Sequence, residues 1–432
     1  MYQLKKTKYL FFSLLVLLSF AIQPFSSSGM ISSPSTISSG GKISYQTIPN
    51  STIIKRQTYY YSEFSPELHA TKSDMWIGHY NALAQCQQIY AIKPEHICLL
   101  YRNGRLIWAS GPEYIPSEYQ LFVNNNWLLK DSGGQYVTTA SGTAIMIDIG
   151  NSALQQWIAN WFKDYIDSYG ADGAYLDSFI PNLEMAYGMS ASPINPRTGN
   201  VWTVQEFKQA AMDMVDGISD TTGKPVLSNS CYSGNHFYRS DYQATLLDYL
   251  LNSQIAGLHS EGWISHWQDP EWYSEEEWLK GINMAVWIED NFLSKGNKIF
   301  WTTSENAAVI WYPEGEEVLP SGVTKEQYVT YCYASRLLAT RNDGNYMNLG
   351  LYMPQHYPQN LFEVNIGSPF GNYYKNGNLY IRQFTDGMVI VNPTYSSQQF
   401  SVSEAYKNAV DGVSVSSSLT VLPHTGIILK RM

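Results

Sequence analysis

Thr143-Ala-Ile-Met-Ile-Asp-Ile-Gly-Asn151 and Gly170-Ala-Asp-Gly-Ala-Tyr-Leu-Asp-Ser-Phe179 each read as a short buried strand ending in a carboxylate, Asp148 and Asp177. Between them Leu154, Trp157, Ile158, Trp161, Phe162, Tyr165 and Ile166 recur at helical spacing. The pattern is strand, helix, strand, the parallel crossover unit. In an alternating strand-helix barrel, a carboxylate at the carboxyl end of a strand lies on the face that carries chemistry.

The alternation extends in both directions. Expected strands are Met75–Tyr80, His96–Tyr101, Thr143–Asp148, Gly173–Asp177, Lys224–Ser230, a sixth that with its exit loop covers Ile255–Trp263, Lys298–Thr303 and Asn345–Gly350. Helical patterns cover Ala82–Tyr90, Leu154–Tyr169, Thr203–Ser219, Glu275–Leu293 and Lys325–Thr340. Eight strands with interleaved helices give an α/β class chain, a (β/α)8 TIM barrel over residues 71–360. The long Gly104–Ser141 insertion is expected to shape a binding face. After Leu361 the texture changes: the turn pairs Asn376-Gly377 and Asp386-Gly387 flank alternating runs. Residues 361–432 are therefore expected to form a small all-β sandwich.

Lys5, Lys6 and Lys8 precede an apolar run from Tyr9 to Ile22 and the small residues Ser26-Ser27-Ser28. This order predicts a secretory signal peptide over residues 1–28 and a secreted, extracellular protein. The run is shorter than the roughly 20 residues of a spanning helix, so no stable membrane insertion is expected after cleavage. Residues 29–70 read as a Ser-rich linker and N-terminal arm. Removing the first 28 residues takes three lysines and moves the net charge from −10 to −13, which argues against a nucleic-acid partner. Cys86, Cys98, Cys231 and Cys332 have no metal-type spacing. In an exported chain they are free to pair, with three connectivities open. His236, His259 and His266 likewise make no metal set, and no phosphate loop or nucleophile elbow is present; neither metal nor cofactor is expected.

Asp177 is the first candidate for chemistry, held on a rigid strand end. Asp172 precedes the same strand, on the stability face, and reads as structural. Glu261, in His259-Ser-Glu-Gly-Trp263, is the second catalytic candidate. Trp263 beside it is expected to shield it, which raises a carboxyl pKa, or to stack on a ligand. Glu305 and Glu184 compete for Glu261's role. Asp148, His79, Tyr80, Arg102, Asn229, His259, Trp263 and Glu305 are the expected ligand-binding residues, each near a strand end.

Asp172-Gly-Ala-Tyr-Leu-Asp177, after Ile147-Asp-Ile-Gly-Asn151, resembles the fourth-strand motif of barrel glycoside hydrolases: the α-amylases, α-galactosidases and endo-α-1,4-polygalactosaminidases, and the hypothetical glycosyl hydrolase families near them. Tyr380-Ile-Arg-Gln-Phe-Thr-Asp-Gly-Met-Val-Ile-Val-Asn-Pro393 is similar to the β domain that follows such barrels. The resemblance implies a glycoside hydrolase with a carbohydrate substrate, with Asp177 as nucleophile. Tyr175 stands where α-amylases carry an arginine, and Asn229 where they place the acid glutamate. A pair on strands four and six is more like the α-galactosidase group, which uses an aspartate where this chain has Glu261. The expected activity is cleavage of O-glycosidic bonds in a polysaccharide or glycan by a carboxylate pair, with retention. The alternatives are a transglycosylase and a carbohydrate-binding barrel that does not turn its ligand over.

Overall fold

Asn151 caps the crossover helix by accepting from the amides of Ala153 and Leu154, and Gly170, at φ +75°, ends it in the left-handed conformation that glycine takes without steric cost. The helix buries Leu154, Ile158, Ala159, Phe162 and Ile166, the face its spacing predicts. The structure is a computed structural model and describes residues 54–59, 65–110, 115–183, 188–265, 271–303, 323–342, 344–348, 361–415 and 417–432.

In chain order the elements are β1 (Ile54–Tyr59), α1 (Pro66–Lys72), β2 (Met75–Gly78), α2 (Ala84–Ile92), β3 (Ile97–Asn103), β4 (Leu106–Trp108), α3 (Pro116–Asn124), β5 (Ala144–Met146), α4 (Ser152–Tyr169) and β6 (Gly173–Asp177). They continue with α5 (Val204–Thr222), β7 (Val226–Asn229), α6 (Gly234–Phe237), α7 (Ser240–Asn252), β8 (Ile255–Ser260), α8 (Glu275–Asn291), β9 (Ile299–Thr303), α9 (Lys325–Ala339) and β10 (Asn345–Asn348). The parallel sheet runs β1-β10-β9-β8-β7-β6-β3-β2. It curls until β1 pairs with both β10 and β2, so the ring of pairings closes.

Two memberships differ from the sequence expectation. The first strand is β1, inside the segment assigned to a linker and arm, so the curled sheet begins before residue 71. Thr143–Asp148 is not a ring strand. Its core, β5, pairs antiparallel with β4 in a separate two-stranded sheet, and β3 pairs directly with β6. A continuous apolar run reports burial on both faces but not which sheet receives it. Here Ile145, Met146 and Ile147 are buried within the excursion that leaves β3 and returns through α4.

Beyond the ring lie β11 (Pro369–Asn376), β12 (Leu379–Phe384), β13 (Gly387–Asn392), β14 (Gln398–Ser401), β15 (Tyr406–Asn408), β16 (Ser414–Val415), β17 (Ser418–Val421) and β18 (Thr425–Arg431). Six of them form the sheet β11-β12-β13-β18-β15-β16, and β14 pairs with β17. One face of this module buries Ile381, Ile390, Val402 and Val421 in its own cluster. The other sends Tyr380, Phe384, Val389 and Ile428 into the main core. Cys86, Cys98, Cys231 and Cys332 are all buried, and none of the four is joined in a disulfide, unlike the pairs left open above. Among the described residues no helix is long and apolar enough to cross a membrane.

Candidate active site

Alternate residues of a strand point to one face. Met75, Ile77, Ile97, Leu99, Tyr175, Leu227, Ile299, Trp301 and Tyr346 form an apolar plug of their own. Two residues further along, the same alternation reaches polar groups: Tyr101 on β3, Asp177 on β6, Asn229 on β7, Thr303 on β9. On β8 it runs Gly257, His259 and then Glu261, one residue past the strand end. Gly257 is required there, since a Cβ would stand 2.4 Å from Leu227 Cγ.

Asn229 joins the two carboxylates. Its Nδ2 donates to Asp177 Oδ1 at 3.0 Å and to Glu261 Oε2 at 2.8 Å. Two oxygens on one nitrogen at those distances are at most about 5.8 Å apart, and about 5 Å when the amide hydrogens diverge by about 120°. Asp177 accepts twice more, from the Tyr101 hydroxyl at 2.8 Å and the Ser178 amide at 2.7 Å. Ser178 sits at φ +52°, a left-handed conformation that costs a non-glycine residue about 1–2 kcal/mol. The strain turns its N–H back onto the carboxylate. Phe179, fully buried, and the Ser230 hydroxyl bonded to its carbonyl at 2.9 Å hold that turn. Buried Arg105 holds the next one by donating to the carbonyls of Ile180, Asn182 and Leu183.

Glu261 is pushed up to about 7, first by burial and then by the charge of Asp177, with the Asn229 hydrogen bond opposing both. It keeps a partial opening to solvent. Its loop is clamped: Gly262 N–H donates to Tyr232 O at 2.8 Å and the Tyr273 hydroxyl donates to Gly262 O at 2.9 Å. A Cβ on Gly262 would meet the Tyr232 ring at 2.7 Å, so that ring lies flat against the loop beside Glu261. His79 stacks on Tyr101 with ring centres 4.4 Å apart; burial lowers its pKa and Asp177 opposes the shift. Beneath the pair, His259 stacks on Trp301 at 3.7 Å and sits between the Tyr175 hydroxyl and the Thr303 hydroxyl, each at 2.8 Å. Burial holds His259 well below its ordinary pKa, so it is a neutral imidazole linking two hydroxyls.

Asp177, Glu261, Asn229 and His79 thus come together, with His259 as buried support. Four expected residues lie elsewhere. Asp148 is off the ring and buried, held bidentate by Arg197 at 3.0 Å for each bond. Arg102, which alternates outward from Tyr101, pairs with Glu118 and lies over the Trp157 and Trp161 rings at 4.9 and 4.7 Å. Tyr80 packs on Trp161 and Tyr165. Trp263 is fully buried, its Nε1 donating to Gly281 O at 3.1 Å under α8, so it offers no face for a ligand to stack on. Glu305, Glu184 and His266 fall outside the described residues. Asp172 accepts from the Tyr90 hydroxyl at 2.6 Å and the Cys98 amide at 2.9 Å, the structural role its position predicts. Sequence reading missed Tyr101, whose signal was its alternation with Leu99, and Arg197, which lies 49 residues from Asp148 and carries no local signal.

Residues 91–388 match the family described as hypothetical glycosyl hydrolase family 15. No curated relative matches the chain. Similar solved structures include a noncanonic maltogenic α-amylase of Thermotoga neapolitana, 10% identical, covering 87% of this chain and 99% of that one at TM-score 0.46. An α-amylase of Geobacillus thermoleovorans is 9% identical, with 90% and 99% covered at TM-score 0.46. The glycoside hydrolase domain of PelA from Pseudomonas aeruginosa is 10% identical, with 69% and 96% covered at TM-score 0.41.

Proposed function

The chain belongs to hypothetical glycosyl hydrolase family 15, a glycoside hydrolase with a carbohydrate substrate, and from that premise we propose that Asp177 and Glu261 cleave a polysaccharide or glycan with retention of configuration. The observation that carries this reading is the single Asn229 nitrogen shared by both carboxylates. Retaining enzymes hold their carboxyl groups about 5–5.5 Å apart and inverting ones about 6.5–9.5 Å. The spacing imposed by one amide supports the former.

In this reading Asp177, an acceptor in all three of its hydrogen bonds, attacks the anomeric carbon. Glu261, whose raised pKa of about 7 keeps a substantial share protonated near neutral pH, gives its proton to the glycosidic oxygen as that bond breaks. The glycosyl ester on Asp177 is then opened by water, whose proton returns to Glu261, and both groups end as they began. His79 and Tyr232 line the approach to the pair. We read the curled sheet as a (β/α)8 barrel and the C-terminal module as a sandwich that braces it.

The test is reducing-end release from a panel of polysaccharides, followed by NMR of the first anomer formed. Retention supports the assignment, and an inverted first product makes Asp177 the base instead. On the cleaved substrate, Asp177→Asn and Glu261→Gln are each expected to lose about 10³-fold or more in turnover while remaining folded. Near-normal turnover in Glu261→Gln transfers the acid role to Glu305 or Glu184, and near-normal turnover in Asp177→Asn ends the mechanism. We also propose export, on the order of Lys5, Lys6, Lys8 and the apolar run behind them. N-terminal sequencing of secreted protein should begin near Gly29, and retention of Met1 would refute it.

A further inference from the structure

A cavity of about 360 Å3 lies where the β module meets α8 and the end of α9, and none of its lining residues belongs to the catalytic site. Its wall is an irregular edge strand. On β11 and β12, Phe370 pairs with Gln383 and Tyr374 with Ile381, so Gly371, Asn372 and Tyr373 stand opposite Arg382 alone. Gly371, at φ +70°, takes the tight bend. Bulges of this kind re-aim side chains, and they recur next to binding and active sites.

Arg382 is 1% exposed and fixes the bulge from beneath. Its Nε donates to Gly371 O at 3.2 Å, and its Nη1 to the carbonyls of Leu337 at 3.0 Å and Thr340 at 2.8 Å. Those three bonds account for the scaffold. Nη2 has no hydrogen-bond partner among the described residues, on a side chain that lines the cavity. Tyr373 donates its hydroxyl to Asn283 Oδ1 at 2.6 Å, which fixes both side chains and leaves the Asn283 amide nitrogen its own two donors. Asn372 and Tyr374 line the cavity from exposed positions, and Arg341 lines it as well.

Fixed amide and guanidinium donors grip vicinal hydroxyls, and tyrosine faces cover the C–H side of a sugar ring. We propose that this cavity is a second carbohydrate site, taking one or two sugar units of a polysaccharide chain at a point remote from Asp177 and Glu261. The proposal shares its ligand class with the cleavage reading but requires neither carboxylate. A site of this kind tethers a polymer, so that capture by the catalytic mouth becomes intramolecular.

The test is affinity electrophoresis of full-length Asp177→Asn protein, which should not consume the ligand, through gels holding soluble starch, xylan, galactan, glycol chitosan or polygalacturonate. At least one polysaccharide is expected to retard it. Adding Tyr374→Ala or Asn372→Ala, both at exposed positions, should weaken that dissociation constant by about tenfold or more. Adding Tyr395→Ala, an exposed tyrosine of the same module outside the cavity, should leave it unchanged. Retardation by none of the five, or equal retardation with and without the cavity substitutions, overturns the proposal. The two readings separate cleanly. Cavity-dependent binding by a protein whose wild type releases no reducing ends sinks the cleavage reading alone. Cleavage without cavity dependence sinks this one alone.

Discussion

Replacing Asn229 by alanine removes the one nitrogen that holds both carboxylates. The bond it gives Glu261 favours the ionised form, against burial and against the charge of Asp177. Its loss must therefore raise a pKa that already stands at about 7. A hydrogen bond to a charged group contributes about 1.5–3 kcal/mol, and one pKa unit is about 1.4 kcal/mol. Water entering the space left by the amide recovers part of this, so a rise of about one unit is expected. Because Glu261 must be protonated to act as acid, the alkaline limb of kcat/KM should move up by about that unit. The rate at the optimum should fall about 10²-fold, as the two carboxylates lose their common tether. The assay is a pH–rate profile on whichever glycan the panel identifies. It is paired with 13C titration of the glutamate carboxyls in the free enzyme, which needs no substrate. An alkaline limb that stays in place, or moves to lower pH, refutes the bridge and with it the spacing argument for retention.

Glu261 should also make the fold pH-sensitive. Its folded pKa of about 7 exceeds its ordinary 4.5, so stability present below pH 4.5 is lost as pH rises through 7. The loss should amount to about 3 kcal/mol. Glu261→Gln should flatten urea midpoints measured between pH 4.5 and 8, and an undiminished slope in the variant assigns the effect elsewhere. Asp148→Asn should act on stability and not on substrate: the buried carboxylate is fixed by a half-exposed Arg197, and its loss should cost about 2 kcal/mol. A raised KM at an unchanged denaturation midpoint would return Asp148 to the pocket. Gly262→Ala drives a Cβ against the Tyr232 ring. It should lower kcat about 10²-fold by displacing Glu261, with little change in melting temperature. Full activity in that variant means the ring yields and the loop is not the positioning element.

The carboxylate that ends β6, the crossover helix and the change of texture near residue 361 were legible in the sequence, because each depends on local periodicity and turn chemistry. Asp177 and Glu261 could be chosen for the same reason: an apolar strand that stops at an acid marks its own end. Even strand membership was not local. Thr143–Asp148 and Ile54–Tyr59 exchanged their expected roles, since hydrophobicity says that a segment is buried and pairing alone says beside what. Arg102 shows the cost of reading strand ends without their faces, because Tyr101, one residue earlier, points at Asp177 while Arg102 points into a cage of tryptophans. Trp263, two residues from Glu261 in sequence, is fully buried with its indole bonded to Gly281, so proximity along the chain did not make it a ligand platform. What only the tertiary structure decided was the sharing: one Asn229 nitrogen reaches Asp177, 52 residues away, and Glu261, 32 residues away. Sequence spacing carries no such information. The curvature of the ring sets the distance between neighbouring strand ends, and that distance lets a single planar amide span two like charges and hold them where burial raises one pKa.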